Sequence, residues 1–120
     1  MIIKVHGELD HHYAAKIRQL IDQRIIELGI KNLIVDVSEI TFMDSSGIGV
    51  ILGRYNIVDS KGGSIYLTGI NNKIDKIISM SGLLSLVHIA KTLPDALHII
   101  EGIDVDISKD ISELYHEVYI

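Results

Sequence analysis

The chain has 120 residues, a formal net charge of −5 and no cysteine, which fits one domain without disulfides or thiolate-based metal sites. It has no run of Lys or Arg, so direct nucleic-acid binding is not expected. The longest apolar runs fall far short of the roughly 20 residues that span a bilayer, and the first residues lack the pattern of a secretory signal, so we expect a cytoplasmic protein with a protein or small-ligand partner and no membrane contact.

Hydrophobic periodicity predicts alternating strands and helices. Asp10 is expected to cap the first helix, and Gly29 to end it. Strands separated by helices imply an α/β fold with a mainly parallel sheet. In chain order the predicted elements are a strand (2–6), a helix (11–28), a strand (33–37), a helix (46–59), a strand (64–68), a helix (72–80), a strand (85–90) and a helix (93–101).

The segment 103–120 has two interpretations, and we assign it to a C-terminal extension of a domain that covers residues 1–102. A helix is favoured by a candidate cap at Ser108 and by five apolar residues with helical spacing: Ile107, Ile111, Leu114, Tyr115 and Val118. Leu114, His116, Val118 and Ile120 alternate as the residues of a strand do. We favour the helix and keep the strand as the alternative.

The sequence Asp44-Ser45-Ser46-Gly47 lies at a predicted strand-to-helix junction, where an open α/β sheet commonly meets its ligands and partners. The free amides and dipole of a helix start favour an anion there, so a hydroxyl on the first turn can carry a phosphate. Asp and Ser are also the commonest helix caps, and the local pattern alone favours that simpler role. A small nucleotide- or anion-binding protein that uses the start of the second helix is the alternative function.

Enzymatic functions find little support. The glycines of residues 47–53 do not have the spacing of a dinucleotide-binding loop, no P-loop is present, and a hydrolase elbow around Ser45 or Ser46 lacks its first glycine. The adjacent side chains of His11 and His12 point about 100° apart on a helix, which is unsuited to a shared metal. We therefore predict neither a cofactor nor a metal, and no catalytic residue.

Three motifs resemble the anti-sigma-factor antagonists with the STAS fold. They are residues 7–12 (Gly-Glu-Leu-Asp-His-His), residues 42–55 (beginning Phe-Met-Asp-Ser-Ser-Gly) and residues 80–83 (Met-Ser-Gly-Leu), and the resemblance covers about residues 1–101. It implies a STAS fold with about four strands in a mainly parallel sheet and helices packed on it.

The resemblance also implies a function in transcription regulation, including sporulation. An unphosphorylated member binds an anti-sigma factor that is also a serine kinase and thereby releases a sigma factor. Phosphorylation of the first serine of the motif, here Ser45, ends the binding, and a serine phosphatase restores it. The match places five further residues at the docking surface: Asp10, His11, Asp44, Ser46 and Gly47, with His12 beside them.

One departure from the family concerns the sheet edge. Family members usually have another strand before the one that here begins near Met1, so the edge of the first strand is expected to be uncovered. An uncovered edge invites pairing with another chain. Our hypothesis is that residues 103–120 cover this edge or mediate a homodimer.

Overall fold

A computed structural model of the chain describes residues 1–101 and 115–120. The strands are β1 (Ile2–Leu9), β2 (Leu33–Asp36), β3 (Ile40–Met43), β4 (Ile65–Thr68), β5 (His88–Ala90) and β6 (Tyr115–Tyr119). The helices are α1 (Ala14–Leu28), α2 (Ser45–Ser60), α3 (Asp75–Met80) and α4 (Leu93–Glu101), with a 3-10 turn at Leu83–Ser85. No helix in these two ranges is both long enough and apolar enough to cross a membrane.

All pairings in the sheet are parallel, and β1 has three partners. Residues 2–4 of β1 pair with β2, residues 7–9 pair with β3, and residues 2–6 pair with β6. The sheet then continues from β2 to β4 and β5. The parallel α/β fold predicted from the sequence is confirmed, with six strands in the described residues where about four were expected.

The strand β6 lies on the side of β1 opposite β3. The carbonyl oxygen of His6 accepts a hydrogen bond from the Ile120 amide at 2.9 Å, and the Gly7 amide donates to the Glu39 carbonyl at 3.1 Å. These two groups belong to one planar trans peptide, in which the C=O and N–H point in opposite directions. The edge of β1 that was expected to be uncovered is therefore paired with the chain's own residues 115–119.

Helices cover both faces of the sheet because side chains alternate along each strand. On one face, Ile3 and Val5 of β1 pack with the buried stripe Ile17, Ile21 and Ile25 of α1 and with α2. On the other face, Ile2 belongs to a smaller cluster that also contains Ala96 of α4. The sheet thus lies between α1 and α2 on one side and α4 on the other.

Two predicted helix starts are wrong by about three residues. Asp10 does not cap α1, because its carboxylate accepts the His12 amide at 2.9 Å and forms a turn before the helix begins at Ala14. In the same way, Asn71 accepts the Lys73 amide at 2.9 Å, and α3 begins only at Asp75. An Asx turn and a helix cap use the same residue types, so the sequence pattern is the same for both.

The C-terminal segment requires a correction. The helix that we favoured for 103–120 is wrong for residues 115–119, which form β6, while residues 103–114 lie outside the described part of the chain. The side chains of Val118 and Ile120 pack against the main core, and the backbone pairs with β1. The alternating pattern, not the helical spacing, therefore predicts the structure of these residues. A strand places Val118 and Ile120 on the apolar core and pairs backbone groups of β1 that would otherwise lack a partner strand.

Candidate functional site

Asp44 connects β3 to α2 and caps the helix. Its backbone is extended, and one carboxylate oxygen, Oδ1, accepts the amides of Ser46 at 2.9 Å and Gly47 at 3.3 Å. The first amides of a helix have no partner within the helix, so an aspartate at this position stabilises its start. The capping role that the local pattern favoured is present, and it belongs to Asp44.

The other oxygen of Asp44 holds the loop between β1 and α1. Oδ2 lies 3.1 Å from the backbone nitrogen of His11 and 3.3 Å from its Nδ1. Partial burial raises the pKa of Asp44, but hydrogen bonds from the His11 side chain and from the amides of Gly47, Ser46 and His11 outweigh it and hold this pKa below its ordinary value. We call residues 10–12 together with residues 44–47 the Asp44 corner.

The second carboxylate of the corner, Asp10, is only 9% exposed. Desolvation raises the pKa of Asp10. Hydrogen bonds from the amide and side chain of His12 and from the Tyr13 amide outweigh this effect, so the pKa lies below its ordinary value. The rings of His11 and His12 are exposed and lie 4.1 Å apart between centroids. Within residues 1–101 and 115–120, no three His, Cys, Asp or Glu side chains are grouped so that they could hold a metal ion.

The two serines of the corner differ in accessibility. Ser45 is exposed at the first position of α2, whereas Ser46 is half-buried and faces α1. Gly47 is buried, and a Cβ on it would lie 2.6 Å from the Leu9 carbonyl oxygen and from Cγ of Met43. The glycine therefore lets α2 begin in close contact with the ends of β1 and β3, which leaves Ser45 at the surface.

The structure brings the predicted site residues together at one end of the sheet. His11 contacts Asp44 directly, and Asp44 in turn holds Ser46 and Gly47. The amides of Ser46 and Gly47 are occupied by the Asp44 carboxylate, so the corner offers an incoming anion few free donors. This arrangement disfavours the alternative of a nucleotide or anion site at the start of α2.

Two surface features of this region were missed from the sequence. Phe42, two residues before Asp44, is 48% exposed on β3. A groove of about 400 Å³ runs between α1 and α2. Its walls are His11, Ala14, Ala15, Arg18, Ser46, Gly49 and Val50. The groove could have been predicted from the small residues at 14–15 on α1 and Gly49 on α2, since small residues leave space where two helices meet.

Comparison with known proteins identifies the family. The family model of the STAS domain matches residues 1–96. The anti-sigma F factor antagonist of Paenibacillus polymyxa is 35% identical over 97 residues, which cover 81% of this chain and 83% of the relative. The chain belongs to the STAS-domain family, and the resemblance found in its motifs is confirmed.

Solved structures agree with this assignment. The anti-sigma factor antagonist SpoIIAA in its unphosphorylated form superimposes with a TM-score of 0.68 at 27% identity, covering 84% of this chain and 89% of that structure. The phosphorylated form of SpoIIAA, a Bacillus cell fate determinant, superimposes with a TM-score of 0.64 at 30% identity, covering 82% and 88%.

Proposed function

We propose that this chain is an anti-sigma factor antagonist. In the unphosphorylated form it binds an anti-sigma factor that is also a serine kinase, and this binding releases a sigma factor. Phosphorylation of Ser45 by that kinase ends the binding, and a serine phosphatase restores it. The proposal makes the chain a substrate and binding module, not an enzyme, and locates its action in the cytoplasm without direct contact with nucleic acid.

The observation that carries the proposal is the state of Ser45. Its side chain is exposed on the first turn of a helix whose cap, Asp44, is complete without it. A kinase can therefore modify this hydroxyl without removing an interaction that holds α2 in place. The relatives support the same role, since one is named an anti-sigma F factor antagonist and SpoIIAA has been solved in both unphosphorylated and phosphorylated forms.

Electrostatics explains how a phosphate at Ser45 ends the binding. The group adds a charge of about −1.5 to −2 next to Asp44, in the corner that also contains the carboxylate of Asp10. A partner that docks tightly over this surface would bury an unpaired dianion and bring its own docking groups against a stronger negative field, at a cost of several kcal/mol. The switch needs no refolding of this chain.

Substitution of Ser45 tests the proposal against the cognate anti-sigma factor from the genome that encodes this chain. We expect Ser45→Asp to weaken binding by at least about a hundredfold, which corresponds to a loss of about 2.7 kcal/mol or more. Ser45→Ala should bind like the unmodified chain and should accept no phosphate from the kinase and ATP, as read from the intact mass. Ser60→Asp, which adds the same charge at the far end of α2, is the matched control and should leave the affinity within about threefold.

Two outcomes would contradict the proposal. One is an unchanged affinity of Ser45→Asp for the anti-sigma factor. The other is a phosphate that the kinase places on a residue other than Ser45.

A further inference from the structure

The groove between α1 and α2 has a cation at its side that no acidic residue of the described chain neutralises. Arg18 is exposed on α1, lines the groove and forms no salt bridge with any residue in the two described ranges. The nearest candidate along the helix is Asp22, one turn further on, at the spacing at which Arg and Asp side chains commonly pair.

Asp22 forms its salt bridge with Arg54 of α2 and not with Arg18. Nε of Arg54 lies 2.8 Å from Oδ1 of Asp22, and Arg54 is only 6% exposed. The carboxylate of Asp22 is thus turned across the helix pair towards a buried guanidinium. Only Arg54 pairs with this carboxylate, and the exposed Arg18 has no acidic partner among residues 1–101 and 115–120.

The buried pair is itself poorly matched. Neither Nε nor Nη1 of Arg54 has a hydrogen-bond partner of good geometry in the described residues, and the same is true of Oδ1 of Asp22. Burial lowers the pKa of Arg54, Asp22 raises it, and the charge of Arg18 lowers it again, so the two guanidinium groups are close enough to repel each other. An additional carboxylate beside Arg18 would balance this local positive charge.

We propose that Arg18 binds a carboxylate of the docked protein partner, an Asp or Glu side chain that enters the groove between α1 and α2. This inference rests on the proposed function, because the partner is the anti-sigma factor that docks over Ser45. The groove begins at His11 and Ser46 of the Asp44 corner, so one partner surface can contact both places. The small residues Ala14, Ala15 and Gly49 leave room for the methylene groups of the entering residue.

The charge pattern gives Arg18 a distinct role in recognition. The corner carries the negative charges of the largely buried carboxylates of Asp10 and Asp44, while Arg18 presents a cation about one helical turn inside α1. A partner surface with a cation facing the corner and a carboxylate facing Arg18 fits in one orientation. The reversed orientation places like charges against each other. Arg18 therefore determines specificity and orientation, while Ser45 determines whether binding occurs.

The test is a charge reversal with a matched control on the same helix. We expect Arg18→Glu to raise the Kd for the cognate anti-sigma factor at least about thirtyfold, and the neutral Arg18→Gln to raise it about tenfold and to reduce the salt dependence of binding. Lys16→Glu makes the same change of charge two residues away, where the side chain lines a separate groove with β6, and should change Kd less than about threefold. Thermal unfolding of each variant checks that the fold is intact.

The outcomes separate this inference from the proposed function. Wild-type binding that Ser45→Asp abolishes, together with equal effects of Arg18→Glu and Lys16→Glu, would overturn the role of Arg18 and leave the switch in place. Inorganic phosphate and GTP are tested separately by thermal shift. If Arg18→Glu removes a shift caused by either of them and leaves anti-sigma factor binding unchanged, the groove is a phosphate site and the inference is wrong. If the wild-type chain does not bind the anti-sigma factor at all, the proposed function fails first.

Discussion

The Asp44 corner and the β6 edge are held together by different kinds of contact. At the corner, the Asp44 carboxylate accepts hydrogen bonds from the amides of Ser46 and Gly47. The Asp10 carboxylate accepts one from the amide of His12. At the edge, β6 pairs with β1 through backbone groups, and the His6 side chain meets Glu117 at 3.3 Å across 111 positions of sequence. Each half of the corner is therefore built by local side-chain chemistry, and the bonds between Asp44 and His11 join the halves across 33 positions. The edge depends entirely on two distant segments meeting.

Under the proposed function, this difference lets the Asp44 corner act as the switch while the β6 edge supports the fold. A phosphate at Ser45 adds charge at a surface whose internal bonds stay intact. A change at β6 instead alters the pairing of β1, the strand that also carries the Asp10 loop at its end. The following three predictions separate these two effects.

Removal of residues 115–120 should have the largest effect on stability. It takes away the pairing along β1 and the packing of Val118 and Ile120 against the core. Because both side chains are half-buried, we expect a loss of about 2–4 kcal/mol in the free energy of unfolding by urea. The exposed edge of β1 should also cause self-association, measured by size-exclusion chromatography.

The corner should keep its structure in this deletion. The amide NMR signals of His11, Ser46 and Gly47 are expected to stay where they are in the full chain, since their hydrogen bonds do not involve β6. Unfolding free energies that are equal for the two chains would show that β6 contributes nothing to the fold.

Gly7→Ala should have the next largest effect. Gly7 has φ of +109°, and a Cβ there would lie 1.9 Å from the Ile120 carbonyl oxygen. We expect a loss of about 1–3 kcal/mol from backbone strain, with a further loss as the end of β6 moves away. Urea unfolding measures the total, and hydrogen exchange at Ile120 should report the displaced strand.

Gly29→Ala is the control for the backbone term. Gly29 also has a positive φ, of +62°, but a Cβ there meets no atom within 4 Å. It should destabilise the protein less than Gly7→Ala and leave exchange in β6 unchanged. An equal loss in both variants would mean that the contact with Ile120 has no energetic role.

Asp44→Asn should have the smallest effect, and one that depends on pH. The asparagine keeps an oxygen for the amides of α2 but loses the charge and the oxygen that accepts the His11 amide. Because that amide is exposed to water, which can replace the bond, we expect a loss of less than about 1 kcal/mol at pH 7. The folded pKa of Asp44 is below its ordinary value of 3.8, so the charged form contributes stability that is complete above that value and disappears as the pH falls through the folded pKa. The difference between wild type and Asp44→Asn in urea unfolding should therefore shrink towards pH 3.

The exposed Asp75 of α3 provides the comparison for this experiment. Asp75→Asn removes the same charge without a hydrogen-bonded corner around it. A pH dependence that is the same in Asp44→Asn and Asp75→Asn would contradict a special role of the Asp44 carboxylate.

Features that depend on local contacts were predicted from the sequence, and features that depend on distant segments meeting were not. The helices α1 and α2 and the junction at Ser45 were predicted because apolar periodicity and a characteristic motif lie within a few turns of chain. The strand β3 was missed because its four residues do not alternate: Ile40 and Met43 are buried, and Thr41 and Phe42 between them are both exposed. For the residues of β6 we favoured a helix, which is wrong. Their sequence fits helical spacing and strand alternation alike, and only the pairing with the edge of β1 favours the strand.

The groove beside Arg18 was not predictable for a related reason. The spacing of Arg18 and Asp22 favours a pair within α1, and only the position of Arg54 on the facing helix takes Asp22 away. The charge that remains is a property of two helices packed together, not of either one alone.

The stacking of Tyr119 on His6 has an optical consequence. The rings lie 4.2 Å apart and nearly parallel, and Tyr119 is 68% exposed. The chain has five tyrosines and no tryptophan, so Tyr119→Trp would place a single indole emitter on β6. Its fluorescence would follow the docking of the C-terminal strand, while the intact mass follows the phosphate at Ser45, so the β6 edge and the Asp44 corner can be observed at the same time in one sample.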